Sequence, residues 1–213
     1  EALARPVEVE GKFKKQTGGH GQFGIATVRF EPLNRGAGFE FGSEVTGGAI
    51  PKGLIPAVGA GVEEGMTRGG AHGFPMVDLR AVCTDGRHHS VDSSEMSFKM
   101  AGSLALRAAV EAVGTVVLEP ISELFVEVPV QYQGDVLGDL SARRGQVIGT
   151  DHGDTGASVS IQAHVPTSEI TRYAIDLRSM TAGTGSFEIT HYDYQPVPDG
   201  ELDRVVAEAS VSD

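Results

Sequence analysis

Two short polar segments contain the residues of this chain that could do chemistry. The first reads GGHGQFG over residues 18–24, and the second reads RHH over residues 87–89. In the first segment Gly19, Gly21 and Gly24 match the spacing G-x-G-x-x-G, which is typical of loops that bind the phosphates of a dinucleotide. The exposed backbone N–H groups and polar side chains of such a loop could equally contact RNA or another polar surface. The spacing alone leaves both chemistries open.

The elements around the first segment favour one of these chemistries. A dinucleotide loop needs a strand before it, a helix after it and an acidic residue about 20 residues further on. Glu40 and Glu44 satisfy the last condition, but Gly24 is followed by IATVRF, whose alternating β-branched residues predict a strand. Without a helix N-terminus, the pyrophosphate loses aligned N–H donors and a favourable dipole. We therefore expect a hairpin, in which the glycines either permit a turn or keep the tip thin enough to enter a narrow site.

The second segment predicts an exposed polar loop. His89 follows two polar neighbours, Arg87 and His88, so a buried role is not expected. The adjacent histidines have no cysteine or carboxylate cluster at ligand spacing, which argues against a metal site. No positioned nucleophile accompanies them, so we predict no catalytic residue. Asp92 and Glu95 fit a capping box at the start of a helix.

Composition and charge limit the class of protein. The chain has 213 residues, of which 40% are hydrophobic and 22% charged, as in an ordinary soluble protein of one or two domains. Its net charge of -12 argues against a free-standing nucleic-acid-binding domain, which is usually basic. Cations nevertheless cluster beside the first segment, at Lys12, Lys14 and Lys15, and again at Arg143-Arg144. An acidic chain of this kind can contact RNA at chosen points while its remaining surface suppresses indiscriminate binding.

The sequence also predicts a cellular compartment. Mean hydropathy is -0.08, and no apolar run reaches the roughly 18 residues that indicate a membrane span. The first residues, EALARPVEVEGKFKKQ, lack the apolar region of a signal peptide. The single cysteine, Cys83, fits a reducing cytosol. We expect a cytoplasmic protein with no membrane partner and, because the chain does not begin with Met, a fragment of a longer one.

Hydrophobic periodicity divides the chain into two units. The first is predicted to contain strands and helices as follows: strands near residues 7–13, 23–30, 38–45 and 75–83, a turn at 85–86, and helices from Pro51 and Asp92. The second is predicted to contain strands at 121–132, 146–150, 157–165 and 186–192 and helices at 134–144 and 166–177. Its order, β-α-β-β-α-β, is that of the split βαβ sandwich. We predict an α+β fold with domains at residues 1–117 and 118–198 and an exposed C-terminal tail at 199–213.

Six motifs occur in the order of one known family. They read TGGHGQFG, GFEFGSEVTGGAIPKGLIPAVGAGVEEGM, DGRHHSVDSSEMSFKMAG, LEPI, GDVLGDLSARRGQVIG and YAIDLRSMTAGTGSF. Together they resemble the C-terminal part of bacterial elongation factor G, from about residue 5 to about residue 198. The first unit is similar to the fourth domain of that factor, which implies a β-α-β domain of the ribosomal-protein-like type. The second is similar to the fifth domain, which implies a ferredoxin-like sandwich.

The resemblance implies partners and a set of contact residues. The family is a five-domain translational GTPase that promotes translocation of transfer and messenger RNA on the ribosome, acting as a monomer that contacts both ribosomal subunits. Two loops of its fourth domain form a tip that enters the A site. The corresponding RNA-contacting residues here are Gly19, His20, Gly21, Gln22, Arg87, His88 and His89. In the fifth domain Arg143 and Arg144 match an Arg-Arg pair near the large subunit, although a favourable position at a helix C-terminus would also explain them.

Several positions depart from the family pattern. His20 and Thr184 stand where the family usually has Arg, and Phe23 and His88 stand where it usually has Tyr. The turn DHGDTG is longer and more polar than is usual. A histidine is mostly neutral at pH 7, so His20 should bind phosphate more weakly than Arg. These differences indicate a diverged paralogue, and they keep open a second function in recycling, stress or ribosome protection without driving elongation. A dinucleotide-dependent enzyme is the alternative of another class.

The chain lacks the sequence of a nucleotide-binding loop. The phosphate-loop pattern G-x-x-x-x-G-K-[ST] does not occur in it. We therefore expect no enzymatic activity and no cofactor in this chain. The resemblance implies that a parent GTPase binds GTP and magnesium in a missing N-terminal domain.

Overall fold

The computed structural model describes residues 1–16, 21–153 and 156–210. These residues form two compact units, one from residues 1–117 together with 197–210 and the other from residues 118–196. The strands are β1 (Ala2–Leu3), β2 (Val7–Lys15), β3 (Gln22–Pro32), β4 (Phe39–Ser43), β5 (Leu79–Arg87), β6 (Thr115–Val116), β7 (Leu118–Pro129), β8 (Gln146–His152), β9 (Ser158–Pro166) and β10 (Ser186–Pro196). The helices are α1 (Ile55–Arg68), α2 (Glu95–Val113), α3 (Gln133–Ala142), α4 (Tyr173–Met180) and α5 (Leu202–Ser210).

The first unit is built around a mixed four-stranded sheet in the order β2-β3-β5-β4. Strands β4 and β5 are parallel, so the chain between them must cross over, and α1 makes that crossover. Helix α2 packs so closely on β2 that a Cβ at Gly11 would collide with the carbonyl oxygen of Ala101. The core between sheet and helices contains Phe30, Leu79 and Phe98, all fully buried. Because Ile25 of β3 pairs with Arg87 at the end of β5, residues 21–24 lie beside the loop that follows β5.

The second unit has the predicted β-α-β-β-α-β order and a sheet in the order β10-β7-β9-β8. Neighbouring strands in this sheet are antiparallel. The alternating residues Val159, Ile161, Ala163 and Val165 of β9 are buried. Leu140 of α3 and Leu177 of α4 pack in the same core. The α+β fold class and the ferredoxin-like sandwich are therefore confirmed.

Two local predictions in the first unit were wrong. Asp85 and Gly86 do not form a turn, because β5 continues through them and pairs them with Thr27 and Ala26 of β3. Strand β5 also begins at Leu79, later than predicted. The chain ahead of it is held by other contacts, including the hydrogen bond from the Met76 N–H to the carbonyl of Met66.

The capping box of α2 also differs from the prediction. Ser94 is the N-cap, its hydroxyl accepting from the backbone N–H of Ser97 at 3.2 Å, while the Ser97 hydroxyl accepts from the N–H of Ser94 at 3.0 Å. Glu95 is the first helical residue and cannot reach back as a capping residue. Asp92 lies two residues before the cap, where it contacts a different part of the chain.

The C-terminal segment, predicted as an exposed tail, contains the short helix α5. Leu202, Val205 and Val206 are half-buried and recur at helical spacing. The segment joins the first unit, and the Val197 N–H donates to the carbonyl of Val117 at 3.0 Å. Among the described helices, none combines the length and apolar character that crossing a membrane requires.

Candidate functional site

The structure brings the two polar segments of the first unit together. The backbone N–H of Gly21 donates to Oδ1 of Asp92 at 3.1 Å, and the N–H of Phe23 donates to the carbonyl of Asp92 at 2.8 Å. Gln22, between them, is exposed at the start of β3. Gly19 and His20 lie outside the described residues. We call the described part of this site, residues 21–23 and 87–93, the tip.

A single hydroxyl joins the two segments of the tip. Ser93 Oγ donates to the carbonyl of Phe23 at 2.7 Å and accepts from the backbone N–H of His89 at 2.8 Å. The Ser93 N–H also donates to the His89 carbonyl at 3.2 Å. Because both segments bond to the same side chain, the position of the histidine loop depends on the position of the hairpin.

His89 lies at the centre of its loop, with 53% of its side chain exposed. Its Nδ1 accepts from the backbone N–H groups of Val91 at 3.3 Å and of Asp92 at 3.2 Å. Oδ2 of Asp92 is 3.4 Å from the same nitrogen. The imidazole ring tilts against the Phe23 ring, with 6.3 Å between centroids. One edge of the ring is thus fixed by the protein while Nε2 has no protein partner among the described contacts.

The neighbouring His88 is held by a third segment. Its Nδ1 lies 3.0 Å from the carbonyl oxygen of Ala49, in the connection between β4 and α1. His88 is exposed. The tip therefore presents two imidazoles whose Nδ1 atoms are anchored in different ways.

The cations around the tip are partly neutralised. Lys12 forms an ion pair with Oε1 of Glu10 at 2.7 Å, and Nη2 of Arg87 lies 3.5 Å from Oε2 of the same carboxylate. The hydrogen bond from Lys12 lowers the pKa of Glu10, which therefore stays ionised over a wider pH range. Lys14 lies over the Phe23 ring, 5.2 Å from its centroid. The surroundings of the tip are consequently polar, with Lys12 and Arg87 paired to Glu10 while Lys14 and Lys15 are exposed.

The two described glycines of the first segment are explained by close packing. A Cβ at Gly21 would lie 2.9 Å from Oδ2 of Asp92, and a Cβ at Gly24 would lie 2.8 Å from the carbonyl oxygen of Ser97 in α2. Strand β3 begins at Gln22, where a dinucleotide loop would require a helix. The dinucleotide alternative does not fit this geometry.

In the second unit, Arg143 is used inside the protein. It ends α3, its Nε donating to Asp139 at 2.7 Å and its Nη2 donating to Asp176 at 2.8 Å. Nη1 donates to the carbonyl of Glu169 at 2.7 Å, and only 18% of the side chain is exposed. These contacts, above all the hydrogen bond to Asp139, raise the pKa of the guanidinium above its ordinary value.

Arg144 is used in the same manner. Its φ is 59°, and this turn of the backbone directs the guanidinium to Glu119, with Nη1 and Nη2 donating at 2.7 and 2.9 Å. Nε donates to Glu169 at 3.1 Å. The Glu119 side chain is only 6% exposed, so this is a largely buried ion pair. The geometry favours a structural role for both arginines, and contact of this pair with the ribosome stays a prediction.

Sequence reasoning missed that Asp92 and Ser93 join the two segments of the tip. The run DSSE predicts one cap, although it offers more side-chain acceptors than a single helix start needs. These extra acceptors were the signal in the sequence that some of the side chains bond to another segment. Thr184 closes a local turn by donating to the carbonyl of Thr181 at 2.6 Å.

Comparisons with known proteins match both units. Residues 1–113 match the family described as elongation factor G, domain IV, and residues 116–205 match the one described as elongation factor G C-terminus. Proteins from two strains of Mycobacterium tuberculosis, each described as an elongation factor G-like protein, are 48% identical over 209 residues. A crystal structure of a Thermus thermophilus protein superposes with a TM-score of 0.85 at 37% identity. The chain is covered to 98% in each case, but it spans only 29% of the length of the former and 31% of the latter.

Proposed function

This chain belongs to the elongation factor G family, and on that premise we propose that it is the ribosome-engaging part of a translational GTPase that promotes translocation. It contains the family's fourth domain and its C-terminal domain. The tip of the first unit enters the A site and contacts transfer or messenger RNA. Its partners are the two ribosomal subunits and these RNAs, in the cytoplasm, with the protein acting as a monomer.

One observation carries this proposal. The two segments that correspond to the family's tip loops are hydrogen-bonded to each other through Asp92 and Ser93, so that His88 and His89 project from one connected structure. Groups held in this way can meet a partner without first becoming ordered, which lowers the entropic cost of binding. Gly19 and His20 remain part of the proposed contact surface.

The contribution of the tip is positioning and steric exclusion. It offers hydrogen-bonding groups and partly neutralised cations, an arrangement suited to RNA surfaces. The chain contains no phosphate-loop sequence, so GTP hydrolysis belongs to another domain of the parent protein. That hydrolysis would set the timing of translocation, while the tip would position the RNAs. No covalent chemistry is assigned to this chain.

The proposal is tested in the full-length protein by single-round translocation. We expect His89→Ala to slow translocation by about tenfold, the loss of one well-placed hydrogen bond, while ribosome-dependent GTP hydrolysis stays within about twofold. His72→Ala is the matched control, because His72 is also exposed in the first unit but precedes β5 instead of following it. An unchanged translocation rate in the His89 variant would sink the assigned role of the tip.

A second function is supported by the departures from the family pattern. His20 and Thr184 remove two cations, and Thr184 makes only a local turn contact. A paralogue that binds ribosomes during recycling, stress or ribosome protection would tolerate these losses. Complementation of a strain depleted of its elongation factor G separates the two functions, since growth would favour translocation and failure with intact ribosome binding would favour the paralogue.

A further inference from the structure

We propose that His88 and His89 are held as opposite neutral tautomers, so that the tip offers RNA one hydrogen-bond acceptor and one donor in place of a pair of cations. This inference rests on the proposed function, because it concerns how the same tip recognises RNA. It assigns the acceptor to Nε2 of His88 and the donor to Nε2 of His89. It also assigns Asp92 and Ser93 as positioning residues.

The tautomer of His89 follows from the groups around Nδ1. The backbone N–H groups of Val91 and Asp92 approach this nitrogen at 3.3 and 3.2 Å. A backbone N–H can only donate, so Nδ1 must accept, and the ring proton must be on Nε2.

The Asp92 carboxylate is the competing partner. Its Oδ2, 3.4 Å from Nδ1, could instead accept a proton from this nitrogen. That distance is longer than those of the two backbone donors, and the carboxylate already accepts from Gly21 through Oδ1. Two shorter contacts from obligatory donors outweigh one longer contact, and His89 therefore presents Nε2–H outward.

The tautomer of His88 is the opposite. Its Nδ1 lies 3.0 Å from the carbonyl oxygen of Ala49, which can only accept. The ring proton must therefore be on Nδ1. In the neutral ring Nε2 is then an acceptor and needs a donor from the partner. A phosphate oxygen cannot fill that role, because it is itself an acceptor.

The side chains of two residues hold the histidine loop beside the hairpin. Ser93 Oγ bonds to the backbone of His89 and to the carbonyl of Phe23, and Asp92 bonds to the N–H of Gly21. Both residues precede the N-cap Ser94, so their side chains are not needed to begin α2. Ser93 acts on RNA recognition through the position and the tautomer of His89, and Asp92 acts through the position of the hairpin beside the histidine loop.

The chemistry of the tip selects the group that it recognises. A ribose 2′-hydroxyl or a base edge supplies both a donor and an acceptor, whereas a phosphate supplies acceptors alone. Glu10 forms ion pairs with Lys12 and Arg87, which offset part of the attraction of these two cations for phosphate. The outward donor and acceptor of the two histidines add a preference that phosphate cannot satisfy. The ligand class is accordingly a nucleotide read through its hydroxyl or its base.

The tautomers can be observed in this 213-residue chain without a ribosome. Long-range 1H–15N correlation spectra of histidine-labelled protein, recorded at about pH 8 where imidazoles are mostly neutral, identify which ring nitrogen carries the proton. His88→Asn and His89→Asn each remove one signal and so assign it. We expect protonated Nε2 for His89 and protonated Nδ1 for His88. The same tautomer in both rings, or a protonated Nδ1 in His89, overturns the proposal.

The positioning residues are tested in the same spectra. Ser93→Ala should convert the single His89 tautomer into a mixture, and Ser93→Thr, which keeps the hydroxyl, should restore it. If Ser93→Ala leaves the His89 signal unchanged, Ser93 is not a positioning residue. Asp92→Ala should leave the proton on Nε2 of His89, because the backbone N–H groups of residues 91 and 92 still donate to Nδ1. A wild-type His89 protonated on Nδ1 that loses this proton in Asp92→Ala would identify the carboxylate as the partner of Nδ1 and overturn the proposal.

Translocation by the full-length protein tests the donor itself. His89→Gln offers a neutral N–H at a similar reach and should stay within about threefold of the wild type. His89→Asn keeps an acceptor at the position of Nδ1 but lacks the outward donor, and His89→Lys replaces the donor with a cation. We expect both to slow translocation by about tenfold. Full activity of the Lys variant would show that the donor need not be neutral and would overturn that part of the proposal. Full activity of the Asn variant would show that His89 only shapes its loop and donates no hydrogen bond to RNA. If even His89→Ala is fully active, the proposed function fails while the spectra still decide the tautomers.

Discussion

The histidine pair of the first unit and the arginine pair of the second unit look alike in the sequence and are used in opposite ways. Both are adjacent basic residues that follow a regular element, and both match positions of the family expected to contact the ribosome. Arg143 and Arg144 donate to carboxylates and a carbonyl of their own unit. Among the described contacts, the imidazole rings of His88 and His89 form their hydrogen bonds to the protein through Nδ1. If the proposed function is correct, the hydrogen-bonding groups left over after folding indicate the contact surface better than charge does.

The largest expected effect is on the arginine side of this comparison. Arg144→Ala should destabilise the second unit by about 3 kcal/mol, because it leaves the buried carboxylate of Glu119 without its partner. Denaturant unfolding followed by tyrosine fluorescence isolates that unit, since all four tyrosines lie in residues 118–196 and the chain has no tryptophan.

Two further variants control the arginine prediction. Arg178→Ala removes an exposed arginine of the same unit and should cost less than about 0.5 kcal/mol. Arg144→Ala should also cost less when Glu119 has already been changed to Gln. Equal losses for Arg144 and Arg178 would break the comparison, because the arginine pair would then be as free as the histidine pair.

A smaller effect is expected where the hairpin of the tip meets α2. Gly24→Ala places a Cβ 2.8 Å from the carbonyl oxygen of Ser97, and the backbone there must move. We expect a loss of about 2 kcal/mol in urea unfolding followed by circular dichroism, as for overpacked sites. Gly53→Ala is the matched control, since no atom lies within 4 Å of its added Cβ. A Gly24 variant as stable as the Gly53 variant would refute close packing as the reason for this glycine.

The contact between the two segments of the tip should be weaker still. Asp92→Ala removes the acceptor for the Gly21 N–H and should cost about 1 kcal/mol. Amide hydrogen exchange should show the loss of protection directly at Gly21. Asp92→Asn retains an acceptor oxygen and should retain the protection. If Gly21 exchanges at the wild-type rate in the Ala variant, the carboxylate does not hold the hairpin.

The smallest effect on stability is expected for the exposed imidazole of His88. His88→Ala removes one hydrogen bond on the surface and should change the free energy of unfolding by less than about 0.5 kcal/mol. Translocation by the full-length protein should nevertheless slow by about threefold or more, because the outward acceptor is lost. A His88 variant that loses stability but keeps its translocation activity would show that His88 has a structural role, as the arginine pair does.

The sequence predicted what depends on local patterns and missed what depends on distant partners. The alternation of β9 and the order of elements in the second unit were sufficient to predict its sandwich. The partners of Arg144, Glu119 and Glu169, are each 25 residues away in opposite directions along the chain. No local pattern marks such contacts, so the structural role of the arginine pair could not be derived.

The same reasoning explains the errors around α2. Both Asp92 and Ser94 satisfy the sequence pattern of an N-cap, and Glu95 made the earlier position more attractive. The side chain of Asp92 is not available as the N-cap because it accepts from the N–H of Gly21, 71 residues away. The acidic composition of the C-terminal segment favoured an exposed tail. The apolar spacing of Leu202, Val205 and Val206, which indicates helix α5, was outweighed by that composition.

The bond between Ser93 and Phe23 has a consequence for the order in which the protein folds. It closes a loop across 70 residues, and closure of a long loop is entropically costly until other contacts have shortened it. Pairing of β3 with β5 brings these residues together. We expect the histidine loop to reach its native geometry late in folding, as contacts of high sequence separation tend to do. A nascent or partly unfolded chain would then lack a working tip, and ribosomes would engage only molecules whose first unit is complete.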